Sequence, residues 1–91
     1  MKEIDWNVEK DAWLRSTRGL SFQMVEEAIA LDEIIDDTEH PNPARANQRI
    51  LVFRLNRRCV CVPYVPTATG RFLKTMYFSR DLDNEYGDAN G

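Results

Sequence analysis

The stretch RILVFRLNRRCVCVPY at residues 49–64 decides the fold, because it predicts two strands joined by a tight turn. Side chains of a strand alternate between its two faces. Residues 49, 51, 53 and 55 therefore share one face of the first strand, and residues 50, 52 and 54 share the other. In the second strand Cys59 and Cys61 share one face and their neighbours the other. We expect an antiparallel hairpin with its turn at 56–58, and Pro63 marks a strand end or an edge.

A third strand pattern, FLKTMYFSR at residues 72–80, carries a lysine in its middle. Alternation places Lys74 on the same face as Phe72, Met76 and Phe78. Lysine is disfavoured inside strands and is seldom buried without a partner, so Lys74 must reach solvent, a carboxylate or a ligand. The turn sequence TATG at 67–70 precedes this strand, which makes the three strands a β-meander.

The first part of the chain predicts a short strand at residues 4–6 and two helices. Asn7 suits the N-cap of a helix over residues 8–18, and Gly19 suits its end. Ser21 caps a second helix, whose apolar residues follow the spacing of a buried stripe to about residue 31. Both tryptophans, Trp6 and Trp13, are expected in the core.

A short strand at 33–36 and the sequence HPNP at 40–43 connect the second helix to the hairpin. Two prolines so close together cannot be helical, and they predict a rigid loop.

Two helices followed by a meander predict the α+β class. We expect two N-terminal helices packed on a small antiparallel β-meander sheet, and a short C-terminal helix over about residues 80–86. The helices should cover one face of the sheet and leave the other accessible. A chain of 91 residues has the size of one domain. Residues 1–87 are expected to form it, and residues 88–91 to be a frayed tail.

The apolar runs are far shorter than the ~20 residues of a membrane span, and the start lacks the apolar core of a signal peptide. This predicts a cytoplasmic protein without a membrane partner. Cys59 and Cys61 are too close to close an unstrained ring, so they are expected to be free thiols. His40 is the single other soft ligand, which leaves a zinc site incomplete. We therefore expect no metal and no cofactor.

Charges are strongly segregated along the chain. Residues 1–40 contain eleven acidic and four basic side chains, residues 41–80 contain eight basic and no acidic ones, and residues 81–91 contain four acidic and no basic ones. Such a basic block is typical of an electrostatic footprint for a polyanion. The alternative is that the arginines pair internally with the acidic helices. The eight basic residues are Arg45, Arg49, Arg54, Arg57, Arg58, Arg71, Lys74 and Arg80.

A set of short motifs extends over nearly the whole chain. They are IDW at 4–6, Lys10, GLSF at 19–22, FLKT at 72–75, SR at 79–80 and Tyr86, together with HPNP at 40–43, QRILV at 48–52 and VPY at 62–64. In order and spacing they resemble the BrnT-type toxins, especially a branch that carries the HPNP loop.

The resemblance implies a fold similar to the RelE-like bacterial ribonucleases. It also implies the toxin of a type II toxin–antitoxin system, a cytoplasmic endoribonuclease that cleaves RNA without a metal. The implied partners are the RNA substrate and a cognate antitoxin protein, with DNA bound only through the toxin–antitoxin complex that represses its own operon. One segment departs from the family: DLDNEY at 81–86 is acidic where a basic segment is expected. Such a tail can mimic phosphate and fold back on the basic sheet.

Five residues are candidates for RNA cleavage. The reaction needs a base for the 2′-hydroxyl proton, cations for the phosphoryl oxygens and an acid for the leaving 5′-oxygen. Lys74 and Arg80 are candidates for the phosphate, Arg54 for a second cation, and His40 or Tyr77 for proton transfer. Each also has a plainer interpretation: an edge-strand surface lysine for Lys74, a salt bridge for either arginine, loop packing for His40, and core or rim packing for Tyr77.

Two other functions stay open at this point. The chain can be a non-catalytic binding module, which uses the basic sheet to hold an antitoxin or nucleic acid in a repressor complex. It can also be an unrelated small interaction domain. Toxicity on expression separates the nuclease from the binding module.

Overall fold

The computed structural model describes residues 3–80, which form an α+β domain with two helices and one mixed sheet. The strands are β1 (Glu3–Trp6), β2 (Ile34–Glu39), β3 (Arg49–Leu55), β4 (Arg58–Pro66), β5 (Gly70–Leu73) and β6 (Tyr77–Phe78), and the helices are α1 (Val8–Thr17) and α2 (Phe22–Ala30). The expected C-terminal helix beyond residue 80, the acidic segment and the tail lie outside the described residues. No helix within residues 3–80 is long and apolar enough to cross a membrane.

The sheet has the order β1-β5-β4-β3-β2, and β6 also pairs with β4. β1 runs parallel to β5, whereas the other pairs are antiparallel. The expectation of a purely antiparallel meander is therefore wrong. The chain leaves β1 through both helices and re-enters the sheet at its opposite edge, so β1 can pair only with a strand that comes much later.

The two helices are joined by a buried carboxylate. α1 begins as expected, because the Asn7 side chain accepts a hydrogen bond from the backbone N–H of Lys10 at 3.0 Å. Ser21 lies at the N-cap of α2 but makes no capping bond with its side chain. Instead Asp11 of α1 accepts a hydrogen bond from the backbone N–H of Phe22 at 2.8 Å. An acceptor from a neighbouring helix replaces the local cap that the sequence predicts.

The hairpin alternates as predicted. Its residues 51, 53, 60, 62 and 64 pack with the helices in the main core. The residues between them, Ile50, Val52, Cys59 and Cys61, form a second buried cluster on the opposite face. Both cysteines are free thiols. Since these four side chains are buried, the expectation that the second face is accessible along its length is wrong.

The third strand of the sequence pattern is broken in two. β5 ends at Leu73 and β6 starts at Tyr77, yet Leu73 and Met76 both lie in the helix-side core. Residues three apart cannot share a face of one continuous strand, so the expected common face for Lys74 and Met76 is wrong. The guanidinium of Arg18, the C-cap residue of α1, donates a hydrogen bond to the Met76 carbonyl within the break. A contact from α1 therefore holds the interruption in place.

Pro63 lies inside β4, opposite Ile50, and not at a strand end or an edge. Its carbonyl accepts a hydrogen bond from the backbone N–H of Lys74 at 2.8 Å. Because N–H and C=O of one strand residue point to the same side, the missing N–H faces the gap between β5 and β6. A proline is tolerated there since no ladder bond to β3 is lost.

Three other expectations are corrected by the structure. β2 continues through residues 36–39, beyond its expected end, with an irregularity between Ile34 and Asp36. Residues 43–45 of the proline loop form one turn of 3-10 helix. Trp13 is 43% exposed and does not lie in the core. Instead Nζ of Lys10 lies 4.3 Å and Cζ of Arg18 lies 4.9 Å from the centroid of the Trp13 ring, within the range of cation–π contacts.

Candidate nucleic-acid interface

A cleft of about 360 Å³ opens at the break between β5 and β6. We call it the cationic cleft. Its described lining residues are Lys10, His40, Arg45, Gln48, Pro63, Lys74, Thr75 and Tyr77. Lys74, His40 and Tyr77, which the sequence predicts as site residues, therefore lie together.

Lys74 reaches the cleft because the strand breaks at its position. Its backbone N–H is tied to Pro63 of β4, and its side chain is exposed. The ammonium group lies 5.5 Å from the centroid of the Phe72 ring, at the outer range of a cation–π contact. Residue 74 lies between β5 and β6, which both pair with β4.

The loop after β2 brings His40 and Arg45 to the cleft. The backbone N–H of His40 donates to the carbonyl of Gln48 at 3.2 Å, and the N–H of Gln48 donates to the carbonyl of Arg45 at 2.9 Å. Asn42 caps the short turn by accepting from the N–H of Ala44 at 3.0 Å. These bonds close the loop on itself, so the two basic side chains project from a fixed backbone.

The His40 ring is oriented by a further hydrogen bond. Its Nδ1 accepts from the backbone N–H of Asn42 at 3.1 Å. In the neutral ring the proton is then assigned to Nε2. In this conformation Nε2 of His40 is an N–H donor. It has no free lone pair with which to accept the 2′-hydroxyl proton.

Tyr77 lines the cleft, while its hydroxyl is hydrogen-bonded to Cys61. Burial raises the pKa of its hydroxyl above the usual value of 10.0, and the charge and hydrogen bond of Cys61 raise it further. The hydroxyl therefore stays protonated at neutral pH. Of the two expected proton-transfer residues, neither is arranged as a base.

The charge of the cleft is uniform. Lys10, Arg45 and Lys74 are cations, and among the described residues that line the cleft there is no carboxylate. Cations gathered in a concave surface raise the local concentration of anions and stabilise negative charge that develops there. The arrangement is suited to a phosphodiester.

Two predicted site residues do not join this group. Arg54 lines a separate cleft with Glu33 and Ile35. It lies six residues along the chain from Gln48, roughly 20 Å away in an extended strand. Arg80 is exposed and does not belong to the described lining of the cationic cleft.

Lys10, Arg45 and Gln48 were not predicted as site residues. Lys10 and Gln48 occur in the motifs that carry the family resemblance, and Arg45 belongs to the basic block. The motifs and the basic block were the sequence features from which these three residues could have been identified.

A second group of polar residues, which the sequence did not reveal, lies on the helix side at the same end of the sheet. The Tyr64 hydroxyl donates to the carboxylate of Asp37, at 2.8 Å from Oδ1 and 2.9 Å from Oδ2. Arg49 donates from Nε to Oδ1 at 3.1 Å and from Nη2 to the Asp37 carbonyl at 2.8 Å. Arg71 places Nη2 3.9 Å from Oδ2. Burial, and then the bond to Asp37, raises the pKa of Tyr64 above 10.0.

These four residues border a cleft of about 370 Å³ with the turn at 66–70. We call it the two-arginine cleft. Arg49 and Arg71 belong to the basic block of the sequence, but their meeting at Asp37 depends on strand register, which local pattern does not give.

Comparison with models of protein families, with curated proteins and with solved structures finds no match for this chain. Within residues 3–80 there is also no group of three or more His, Cys, Asp or Glu side chains that could hold a metal ion.

Proposed function

We propose that this protein is the toxin of a type II toxin–antitoxin system, of the BrnT type with a RelE-like fold, and that it cleaves RNA at the cationic cleft. The observation that carries the proposal is the meeting of Lys10, His40, Arg45, Lys74 and Tyr77 around one concave surface. The family resemblance supports it independently, since Lys10, His40 and Lys74 all lie in the motifs that resemble the family.

The proposed reaction is a transesterification. The 2′-oxygen attacks the adjacent phosphorus, the bond from phosphorus to the 5′-oxygen breaks, and the products carry a 2′,3′-cyclic phosphate and a 5′-hydroxyl. Negative charge builds on the non-bridging oxygens in the transition state. Lys74 and Arg45 neutralise that charge, and His40 donates to it from Nε2.

Proton transfer follows from the same geometry. Because the His40 ring presents an N–H and Tyr77 stays protonated, the 2′-hydroxyl proton passes to water or hydroxide and the leaving 5′-oxygen takes a proton from solvent. The cleft acts by charge stabilisation more than by general base catalysis. No step in this scheme requires a metal, in agreement with what the resemblance implies.

The partners follow from the charge of the cleft. A cognate antitoxin neutralises the toxin by covering the cationic cleft with an acidic segment. Contact with operator DNA comes only through the complex with that antitoxin.

The test is growth on induced expression, with total RNA examined in parallel, for the wild-type chain, Lys74→Ala and Arg15→Gln. Arg15→Gln is the control, because this exposed arginine pairs with Asp11 on α1 and lies outside the cleft. Growth arrest with RNA fragmentation in the wild type and in the control, lost in Lys74→Ala, supports the proposal. Normal growth and intact RNA with folded wild-type protein would instead support the non-catalytic binding module.

A further inference from the structure

Among the described residues that line the two-arginine cleft, positive charges outnumber negative ones. The nearby Glu3 carboxylate accepts a hydrogen bond from the Thr69 hydroxyl at 3.4 Å. Asp37 supplies one negative charge, whereas Arg49 and Arg71 supply two positive ones. The carboxylate oxygens already accept bonds from Tyr64 and Arg49. We infer that this cleft is a second anion site, which binds a phosphate group of the RNA strand; the RNA part of this inference rests on the function proposed above.

Arg71 is the residue that would contact the phosphate. At 3.9 Å its Nη2 lies beyond hydrogen-bond distance from Asp37, so no hydrogen bond to that carboxylate occupies this donor. The guanidinium also interacts with the Tyr64 hydroxyl. Its guanidinium lies over the Tyr64 ring at 5.3 Å from the centroid, which fixes the plane of the donors. The side chain is only 16% exposed. A partly buried guanidinium gains more from an added anion than an exposed one does.

The opposite wall of the cleft is a rigid turn. The N–H of Thr67 donates to the carbonyl of Gly70, and the N–H of Gly70 donates to the Thr67 hydroxyl oxygen, both at 2.9 Å. A Cβ on Gly70 would lie 1.8 Å from the carbonyl oxygen of Glu3, so only glycine allows β1 to pack here. Since the Thr67 oxygen accepts from Gly70, its O–H is left to donate to a ligand.

The lining favours phosphate over a nucleobase. Tyr64, the one aromatic residue among the described residues that line the cleft, is 3% exposed and its ring is covered by Arg71, so it offers no platform for stacking. The remaining wall consists of hydroxyls, backbone and small side chains. Guanidinium donors opposite hydroxyl donors match the oxygens of a phosphate.

The two clefts are lined by neighbouring residues of the chain. Gln48 and Arg49 are consecutive, and so are Pro63 and Tyr64, and each pair sends one residue to either cleft. The clefts therefore share one end of the sheet. An RNA strand that passes over this rim would place one phosphate in each.

The experiment measures binding of an RNA with 2′-O-methyl riboses, which cannot be cleaved, by fluorescence anisotropy over a series of salt concentrations. The proteins are wild type, Arg71→Gln, Arg71→Lys, Lys74→Ala and the control Arg15→Gln, each checked for a cooperative thermal transition. Loss of one phosphate contact should lower the slope of log K against log salt by about 0.7. We expect this in Arg71→Gln, an unchanged slope in Arg15→Gln, and a slope close to wild type but weaker affinity in Arg71→Lys.

Failure of the inference is distinguishable from failure of the proposed function. If Lys74→Ala lowers the slope and Arg71→Gln does not, the second site is overturned while the RNA function stands. If wild-type protein binds no RNA, the proposed function fails, and inorganic phosphate becomes the probe. A saturable NMR shift of the Gly70 amide with phosphate, absent with chloride at equal ionic strength and lost in Arg71→Gln, would support the anion site without the RNA function. If phosphate causes no shift, the anion site is overturned together with the RNA function.

Discussion

Asp11 in α1 accepts a hydrogen bond from the backbone N–H of Phe22, the first residue of α2, at 2.8 Å. The same carboxylate accepts from Nε of Arg15 at 2.9 Å. One buried side chain therefore caps the second helix and fixes how the two helices meet. Because α1 also supplies Lys10 to the cationic cleft and its C-cap residue Arg18 contacts the strand break, this joint supports the geometry of the site.

Two substitutions of Asp11 distinguish the contribution of the helix cap from that of the ion pair with Arg15. Asp11→Ala leaves a buried N–H without its acceptor and should lower the free energy of unfolding by about 2 kcal/mol. Asp11→Asn keeps an oxygen acceptor and loses only a partly exposed pair, so it should cost less than about 1 kcal/mol. Urea unfolding of both variants measures the difference. An equal loss in the two variants would contradict the assignment of the cap.

The stability of the protein should fall at high pH. The pKa of Tyr64 is raised above 10.0 in the folded state, so the folded state keeps this proton where the unfolded chain loses it. The stabilisation is complete below the unfolded pKa, and it is lost as pH rises through the folded value. Urea unfolding from about pH 8 to about pH 11 should show wild type losing its advantage over Tyr64→Phe. A constant difference between the two proteins over that range would show that Tyr64 keeps an ordinary pKa.

His40 should act as a hydrogen-bond donor. His40→Ala removes the N–H aimed at developing charge and should lower kcat about 100-fold. His40→Gln can still offer an N–H and should remain within about 10-fold of wild type. Single-turnover cleavage of a labelled RNA measures both. If the glutamine variant is as defective as the alanine variant, histidine is needed for proton transfer and the donor role is wrong.

The pH dependence of cleavage tests the same point in another way. With no positioned base, the rate should rise continuously with pH, because the concentration of hydroxide rises. Measurements of kcat from about pH 5 to about pH 9 give the profile. A bell-shaped profile would contradict the account.

Arginines that line the cationic cleft should contribute to cleavage, and arginines outside it should not. Arg45→Ala removes a cation from the lining and should lower kcat/KM by a factor of about 100. Arg54→Ala lies at the other end of β3 and should leave kcat/KM within about threefold, since no transition-state contact is lost. The matched pair is measured on one RNA substrate. Equal losses would place the reaction somewhere other than the cationic cleft.

The sequence predicts the hairpin well because its alternation is local and both faces are buried. It does not predict the break between Leu73 and Tyr77, since FLKTMYF fits one continuous strand as well as two short ones. The break depends on Arg18 and on the burial of Met76, which are contacts between distant parts of the chain. The parallel pairing of β1 with β5 is hidden for the same reason.

The site residues also differ in whether local sequence reveals them. His40, Lys74 and Tyr77 are found from their residue type and their motifs, and they do lie together. Asp37, Arg49, Tyr64 and Arg71 meet because of the register of four strands, so no local sequence pattern predicts this group. Arg54 was chosen for its charge alone, and register places it elsewhere.

The most direct test of the central claim is cleavage of a labelled messenger RNA, supplied both free and in a translating cell extract, by purified wild type, Lys74→Ala and Arg15→Gln. The account predicts fragments with 2′,3′-cyclic phosphate and 5′-hydroxyl ends in at least one of the two settings. It predicts a rate lower by about 100-fold in Lys74→Ala and an unchanged rate in the control. Intact RNA in both settings, or equal cleavage by Lys74→Ala and wild type, would contradict the claim that the cationic cleft cleaves RNA.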